Sequence, residues 1–325
     1  MIETKELTKV FGDITAVDHI NLEIREGEIF GFLGPNGAGK TTLVSMLCTL
    51  LNPDSGSAAV MEHDVQEQAR EIRKSAGIVF QDPSLDEKLT GRENLELSAA
   101  LYGVPKNVRN RRIDGILDAV GLKDRADSFV RAYSMGMRRR LEVVRALIHR
   151  PRILFLDEPT LGLDPKAREW VWEHLKMLNQ SEHITIVLAT NYMEEAERLC
   201  DRVGIIDRGK MIALGTPDSL KAELKGDVIT LQVKNPGGLV DEFRGVDFIK
   251  DVKLIDGKIV FIVENGESAI PGIVELAGGD RIESIELHRP TLNDVFLHYT
   301  GRDIRRGERM GAGKGQRMKR RRRRA

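Results

Sequence analysis

Cysteine is scarce, with only Cys48 and Cys200 in 325 residues. Neither stands in Cys-x-x-Cys spacing, and each falls within an apolar helical pattern. A disulfide framework or zinc cluster is therefore excluded as the organising device, and both read as core thiols in a reducing compartment. Long apolar runs are missing too: nothing approaches the ~18 consecutive apolar residues of a spanning helix. The opening MIETKELTKV has no apolar signal core. The chain is expected not to cross a membrane, so anything it moves across one needs a pathway supplied by another chain. Net charge is absent as well, 50 Lys+Arg standing against 50 Asp+Glu. That balance hides an asymmetry: from Arg302 onward there are twelve Lys/Arg and two Asp/Glu, a local +10, so the first 301 residues carry −10.

What is present suits a soluble, two-domain protein. Apolar residues make up 41% and charged residues 31%, and the length is about twice a common domain. Residues 1–30 read as short strands with turns at Phe11-Gly12-Asp13 and Glu26-Gly27-Glu28. Ile29–Leu33 is a short apolar run of the kind buried on both faces. A glycine loop follows, then helical periodicity over Thr41–Leu51. Further strands are expected at Ile78–Phe80, Ile153–Leu156, Ile184–Ala189 and Val203–Ile206, with helical patterns between several of them. Such alternation predicts an α/β fold with a parallel sheet. Residues 85–150 have almost no strand character and read as a helical subdomain. Asp207-Arg208-Gly209-Lys210 is a hairpin turn, and Thr216-Pro217 an N-cap with proline at the first helical position. Beyond about Lys225 the order becomes β-α-β-β-α-β, with an Asp256-Gly257 hairpin turn, which suggests a small α+β ferredoxin-like domain over 226–300. Residues 301–325 hold little apolar content and are expected to be a disordered basic tail.

Two motifs carry chemistry. Gly34-Pro35-Asn36-Gly37-Ala38-Gly39-Lys40-Thr41-Thr42 fits G-x-x-x-x-G-K-[ST], between a buried strand and a helix. Its glycines let main-chain N–H groups converge on phosphate, and the helix start adds partial positive charge. Lys40 is expected on the β- and γ-phosphates, the Thr41 hydroxyl in a Mg²⁺ shell and Thr42 on the α-phosphate, so the cofactors are ATP and Mg²⁺. The second motif is Ile153-Leu-Phe-Leu-Asp157-Glu158, an apolar strand delivering adjacent carboxylates to its carboxyl end. Alternation sends them in different directions. Asp157 is expected to hold the metal through water, and Glu158 to face the γ-phosphate as base or water-orienter.

Residues 1–220 here resemble the nucleotide-binding domain of ATP-binding cassette (ABC) transporters. The resemblance implies a P-loop NTPase cassette with a RecA-like parallel core, an antiparallel β subdomain and a helical subdomain over about 85–150. It implies that Phe11 stacks on adenine where the family usually has tyrosine; the other reading of Phe11 is an ordinary core residue. It places Gln81 as Mg²⁺ sensor and link to the membrane subunit, and Leu163-Asp164 in a loop crossing a dimer interface. Tyr133-Ser-Met-Gly-Met-Arg138 stands at the family signature, where Ser134 and Gly136 would donate to the γ-phosphate held by the opposite subunit. Each ATP would then join two subunits. Two further departures from the family matter. Met135 replaces a signature glycine, which costs about 1 kcal/mol if its φ is positive and is nearly silent otherwise. Asn191 replaces the switch histidine; it can donate a neutral hydrogen bond but cannot become cationic, which implies slower hydrolysis. His149, His174, Trp170 and Trp172 read as structural.

Gln81-Asp-Pro-Ser-Leu-Asp86, the Tyr-Ser-x-Gly-Met-Arg-Arg-Arg signature and Arg289-Pro-Thr-Leu292-Asn-Asp-Val-Phe-Leu297 are similar to the daunorubicin-resistance branch. That branch implies export of hydrophobic drugs or lipids through a separate membrane permease, by a dimeric motor (a homodimer first, one copy paired with a different cassette second) lying peripherally on the cytoplasmic face of the cell membrane. The seven cations of Arg317–Arg324 have three readings: a passive solvated tail, a contact with anionic lipid, or, ranked last, nucleic acid. Two alternatives to the transporter motor are a soluble ABC ATPase on ribosomes or nucleic acid and an ATP-binding switch with little turnover. The first usually carries two cassettes or a long coiled coil, and Glu158 argues against the second.

Overall fold

The computed structural model describes residues 1–82, 84–234 and 236–302. The expected disordered tail, with Arg317–Arg324, lies outside the described residues from position 303 onward. The chain divides into two compact units: Met1–Leu33 with Gly37–Met211, and Ile212 onward with Gly34–Asn36.

The first unit opens with β1 (Ile2–Phe11), β2 (Ile14–Ile24), β3 (Ile29–Leu33) and α1 (Lys40–Leu47). Next come β4 (Ser55–Val60), β5 (His63–Asp64), α2 (Ala69–Ser75) and β6 (Ala76–Val79). The helices α3 (Gly91–Leu101), α4 (Lys106–Ala119) and α5 (Met135–Leu147) follow. Then come β7 (Ile153–Asp157), α6 (Pro165–Glu182), β8 (Thr185–Thr190), α7 (Met193–Leu199) and β9 (Arg202–Asp207), and β10 (Lys210–Gly215) begins in this unit and ends past Met211. One six-stranded sheet has the order β10-β9-β3-β8-β7-β6. Within it β9, β3, β8, β7 and β6 are parallel, and every residue of β3, β7 and β8 is buried. Strands enclosed on both faces need unbroken apolar runs, which is why these were legible. The register pairs Leu33 with Thr190 and Asp157 with Ala189, so the carboxyl ends of β3, β8 and β7 lie side by side.

A second sheet, β2-β1-β4-β5, is antiparallel. The strands expected to be short are long, at 10 and 11 residues for β1 and β2. Register shifts between Thr4 and Leu7, Leu7 and Lys9, and Lys9 and Val10 break the alternation. Glu6 (φ 48) and His19 (φ 52) take left-handed backbone within these bulges. α1 stops at Leu47, short of the expected Leu51, with Thr49 at φ 62 just beyond.

Helices α3 to α5 enclose their own core, with Leu95, Ile113, Leu117 and Leu141 fully buried. Each such burial stabilises by about 1.5–3 kcal/mol. A capping box between Thr90 and Glu93 opens α3.

The second unit runs through α8 (Pro217–Ala222), β11 (Asp227–Val233), α9 (Leu239–Phe243), β12 (Ile249–Ile255), β13 (Lys258–Val263), α10 (Gly266–Ala277), β14 (Ile282–His288) and α11 (Leu292–Thr300). Its sheet, β12-β13-β11-β14, is antiparallel throughout, the ferredoxin-like arrangement. Ile229, Leu231, Ile259 and Phe261 form the face that packs with Phe243 of α9 and Ile273 of α10. Asp256 (φ 51) and Gly257 (φ 81) make the two-residue turn between β12 and β13.

Candidate active site

The loop from Gly34 to Gly39 leaves the buried end of β3 and enters α1. Gly39 caps the helix at φ 109, ψ 0, and a Cβ there would lie 2.1 Å from the Ala16 carbonyl oxygen of β2. Only glycine fits both constraints. The Gly209 N–H donates to the Ala38 carbonyl at 2.8 Å, and the Asp18 N–H to the Gly209 carbonyl at 2.9 Å. The β9–β10 turn and β2 therefore hold the loop from behind. The sequence marks Gly209 as a turn glycine only, since its partner is a main-chain carbonyl that any residue supplies.

Lys40, at the start of α1, is buried. Burial pushes its ammonium below the ordinary lysine value, and the charges of Glu158 and Asp157 pull it back in part. Lys40 thus lies close to the two carboxylates at the carboxyl end of β7. Asp157 ends β7 and is also buried. Burial raises its carboxyl above the ordinary value, while a hydrogen bond from the Thr41 hydroxyl and the charge of Lys40 oppose that rise. Its Oδ1 is buried without a hydrogen-bond partner. A buried, unsatisfied carboxylate oxygen beside a threonine hydroxyl fits a hard divalent cation that brings its own water and phosphate ligands. Among the described residues no group of three or more His, Cys, Asp or Glu could hold a metal.

Glu158 follows at φ 47, a left-handed backbone that is strained for a non-glycine residue. Its N–H donates to the Ala189 carbonyl at 2.8 Å and its carbonyl accepts from Arg139 Nη2 at 2.7 Å. Asn191 comes directly after Thr190, the last residue of β8, and so lies between the ends of β3 and β7. The next residue, Tyr192, donates its N–H to Thr190 Oγ1 at 2.9 Å. Glu195 of α7 is buried, pushed up by desolvation, and accepts from Thr160 Oγ1 at 2.7 Å and Trp172 Nε1 at 3.0 Å. It joins the loop after Glu158 to the helix after Asn191, a role the sequence did not disclose.

The remaining expected residues lie further out. Gln81 is exposed two residues past β6. Phe11 is 48% exposed at the end of β1, with Lys9 Nζ 5.5 Å from its ring centre, so it is not an ordinary core residue. Ser134 caps α5 by accepting the Met137 N–H at 3.3 Å, and Gly136 lies in that helix's first turn. Asp164 caps α6 by accepting the Ala167 N–H at 3.0 Å. His149 stacks on Tyr102 and His174 on Trp170. Cys48 and Cys200 are free and buried, with thiols pushed well above the ordinary value by burial.

Comparison with known proteins agrees with this geometry. The family described as ABC transporter matches residues 17–161, and that described as ATP-binding protein DrrA1-3-like, C-terminal domain, matches residues 215–300. The daunorubicin resistance ATP-binding protein DrrA3 of Streptomyces coeruleorubidus is 42% identical over 304 residues, 91% of this chain and 95% of that protein. The linearmycin resistance ATP-binding protein LnrL of Bacillus subtilis is 36% identical over 312 residues, 94% of this chain and 100% of that protein. A dimeric ATP-binding cassette solved in a post-hydrolysis state with ADP and Pi superposes with a TM-score of 0.61 at 28% identity, covering 66% of this chain and 98% of that one. No helix among the described residues is long and apolar enough to cross a membrane. The chain belongs to the ABC transporter family, as an ATP-hydrolysing subunit of the daunorubicin-resistance branch.

Proposed function

We propose that this subunit pairs with a second copy around two ATP and Mg²⁺, hydrolyses the ATP at Glu158, and drives a separate permease. The permease exports a hydrophobic drug or lipid, and the subunit lies peripherally on the cytoplasmic face of the cell membrane. Residues 1–220 form the nucleotide-binding domain, with 85–150 as its helical subdomain, and 226–300 form a C-terminal domain that supports assembly. The observation that carries this reading is the closeness of the Lys40 ammonium to the carboxylates of Asp157 and Glu158 at the end of β7, with one carboxylate oxygen of Asp157 buried and unsatisfied. The cargo class rests on relatives named for daunorubicin and linearmycin resistance.

The N–H groups of Gly34–Thr42 and the Lys40 ammonium bind the phosphates, while exposed Phe11 offers its ring face to adenine. Thr41, Asp157 through water, and Gln81 are the residues that would hold Mg²⁺, which when bound would offset charge on the transferred phosphoryl group. Glu158 orients the attacking water and takes up its proton, and Asn191 donates a hydrogen bond to the γ-phosphate. Ser134 and Gly136, with the amino end of α5 behind them, meet the phosphate held by the other copy.

Glu158→Gln keeps the shape and loses the base. In Mg²⁺ and ATP it should stay dimeric in sedimentation velocity, with turnover reduced at least a hundredfold or so. Lys40→Ala should lose Mg²⁺-dependent ATP affinity. Wild-type hydrolysis by the first variant, or undiminished affinity in the second, removes the proposal.

A further inference from the structure

The segment carrying Gln81 is fastened to one face of α5, and the fastening extends to Glu158. Arg139 is 6% exposed and Glu142 2% exposed, and they form a buried ion pair at 3.0 Å. Arg139 Nη1 also donates to the Phe80 carbonyl at 2.8 Å, while Nη2 donates to Glu158 and Nε to Pro159. Through its other oxygen Glu142 accepts the Ser84 N–H at 2.8 Å. One turn on, Arg145 donates to the Ser84 hydroxyl; one residue earlier, Arg138 pairs with Glu87. Positions 138, 142 and 145 share a helix face by their spacing. They grip the chain after Gln81, and Arg139 holds Phe80 immediately before it.

Anchoring alone does not call for this chemistry. Burying an ion pair carries a desolvation penalty that apolar residues of equal bulk avoid. The distinctive property of arginine is a rigid, planar fork of donors. That fork joins the residue before Gln81 to the carbonyl of Glu158, whose left-handed backbone is held on its other side by Ala189. A shift of α5 cannot move one loop without the other.

We propose that Arg139, supported by Glu142, is a positioning residue that couples the amino end of α5, where Ser134 lies, to Gln81 and Glu158 together. This inference rests on the roles proposed above for those three residues. Engagement of Ser134 by the opposite phosphate displaces α5, and the fork carries that displacement to both loops. Glu158 reaches its working position only when Gln81 does. The partners of the clamp are the carbonyls of Phe80, Glu158 and Pro159 and the Ser84 N–H, none of them in the phosphate loop, so its loss affects turnover rather than affinity.

The test uses the full-length chain. Arg139→Lys keeps the charge and removes the fork; turnover should fall about tenfold with ATP affinity unchanged within about threefold. The double variant Arg139→Met/Glu142→Leu removes both buried charges at similar bulk. It should melt no lower than wild type and be equally slow. Adding Gln81→Ala to Arg139→Lys should slow the enzyme little beyond Gln81→Ala alone, because both act through one loop. A folded double variant turning over within about twofold of wild type overturns the coupling. So do multiplicative effects of Arg139→Lys and Gln81→Ala, or a parallel loss of affinity and turnover. A wild-type rate for Gln81→Ala overturns instead the role given to that glutamine, and the coupling with it. A slow Gln81→Ala beside fast Arg139 variants sinks the coupling alone.

Discussion

Asn191 and Met135 are two departures from the family pattern at single positions, and the structure separates them. Asn191 sits where β8 ends between the phosphate-loop strand and the carboxylate strand. An amide there offers a neutral hydrogen bond, and charge-assisted bonds are about twice as strong. About 1.4 kcal/mol of added transition-state stabilisation would be a tenfold gain in rate. Asn191→His should therefore raise ATP turnover by up to about tenfold with little change in ATP affinity. An unchanged or lower rate would end that explanation. Met135 had two readings, strained or silent, depending on its backbone. It is the first residue of α5, behind the Ser134 cap, and is not among the residues with positive φ. The silent reading follows: restoring glycine relieves no strain. Met135→Gly should keep turnover within about twofold of wild type and lower unfolding stability by about 0.5–1 kcal/mol, measured in urea, because glycine is the poorer helix former.

At the scale of elements, legibility tracked burial and turn chemistry. Strands β3, β7 and β8 were readable because enclosure on both faces demands apolar runs, and β13 and α9 because a two-residue turn and clear polar breaks flank them. β4, β5 and α2 were not anticipated: β4 begins Ser-Gly-Ser with three exposed residues and has no pattern to announce it. The phosphate loop and Asp157-Glu158 are side-chain motifs and could be found. The Arg139 fork and the backing of Gly39 could not, because their acceptors are main-chain carbonyls that any residue supplies. α11 offers a test of its own. Asp294 accepts from the Thr291 N–H at 2.8 Å in a capping box and from His288 Nε2 at 3.1 Å. The hydrogen bond to Asp294 raises His288 above the ordinary imidazole value. Burial pushes the Asp294 carboxyl upward, but bonds from His288 and Thr291 outweigh it and leave it below the usual range. A raised base stabilises fully below its unfolded pKa and loses that contribution as pH climbs through its folded value. A lowered acid stabilises above its unfolded pKa and loses that contribution as pH falls through its folded value. The pair is therefore strongest from just above the carboxylate range to the ordinary histidine range. His288 is partly exposed, so the effect should stay under about 1 kcal/mol. Urea unfolding should find His288→Gln less stable than wild type near pH 6 and equal to it near pH 9; equal stability at both would show the pair contributes nothing.

On the scale of the whole molecule, charge is distributed in a way that only the full chain reveals. The body up to residue 301 carries −10 and the segment from Arg302 carries +10. An anionic bilayer repels the first and attracts the second, so the basic segment offers a charge-based contact with such a surface, while no helix among the described residues is long and apolar enough to cross one. Each of the seven cations in Arg317–Arg324 can contribute up to about 1 kcal/mol at such a surface. The attraction extends about 8 Å in physiological salt and about 3 Å in 1 M salt. Full-length protein should therefore co-sediment with vesicles of mixed phosphatidylglycerol and phosphatidylcholine at low salt, and should release in 1 M salt. Removal of residues 303–325 should abolish the association, while ATP turnover in solution stays within about twofold because the site is built wholly from earlier residues. Association that survives the truncation would locate the contact on the body. Binding to neutral vesicles as strong as to anionic ones would show that the basic segment does not act by charge.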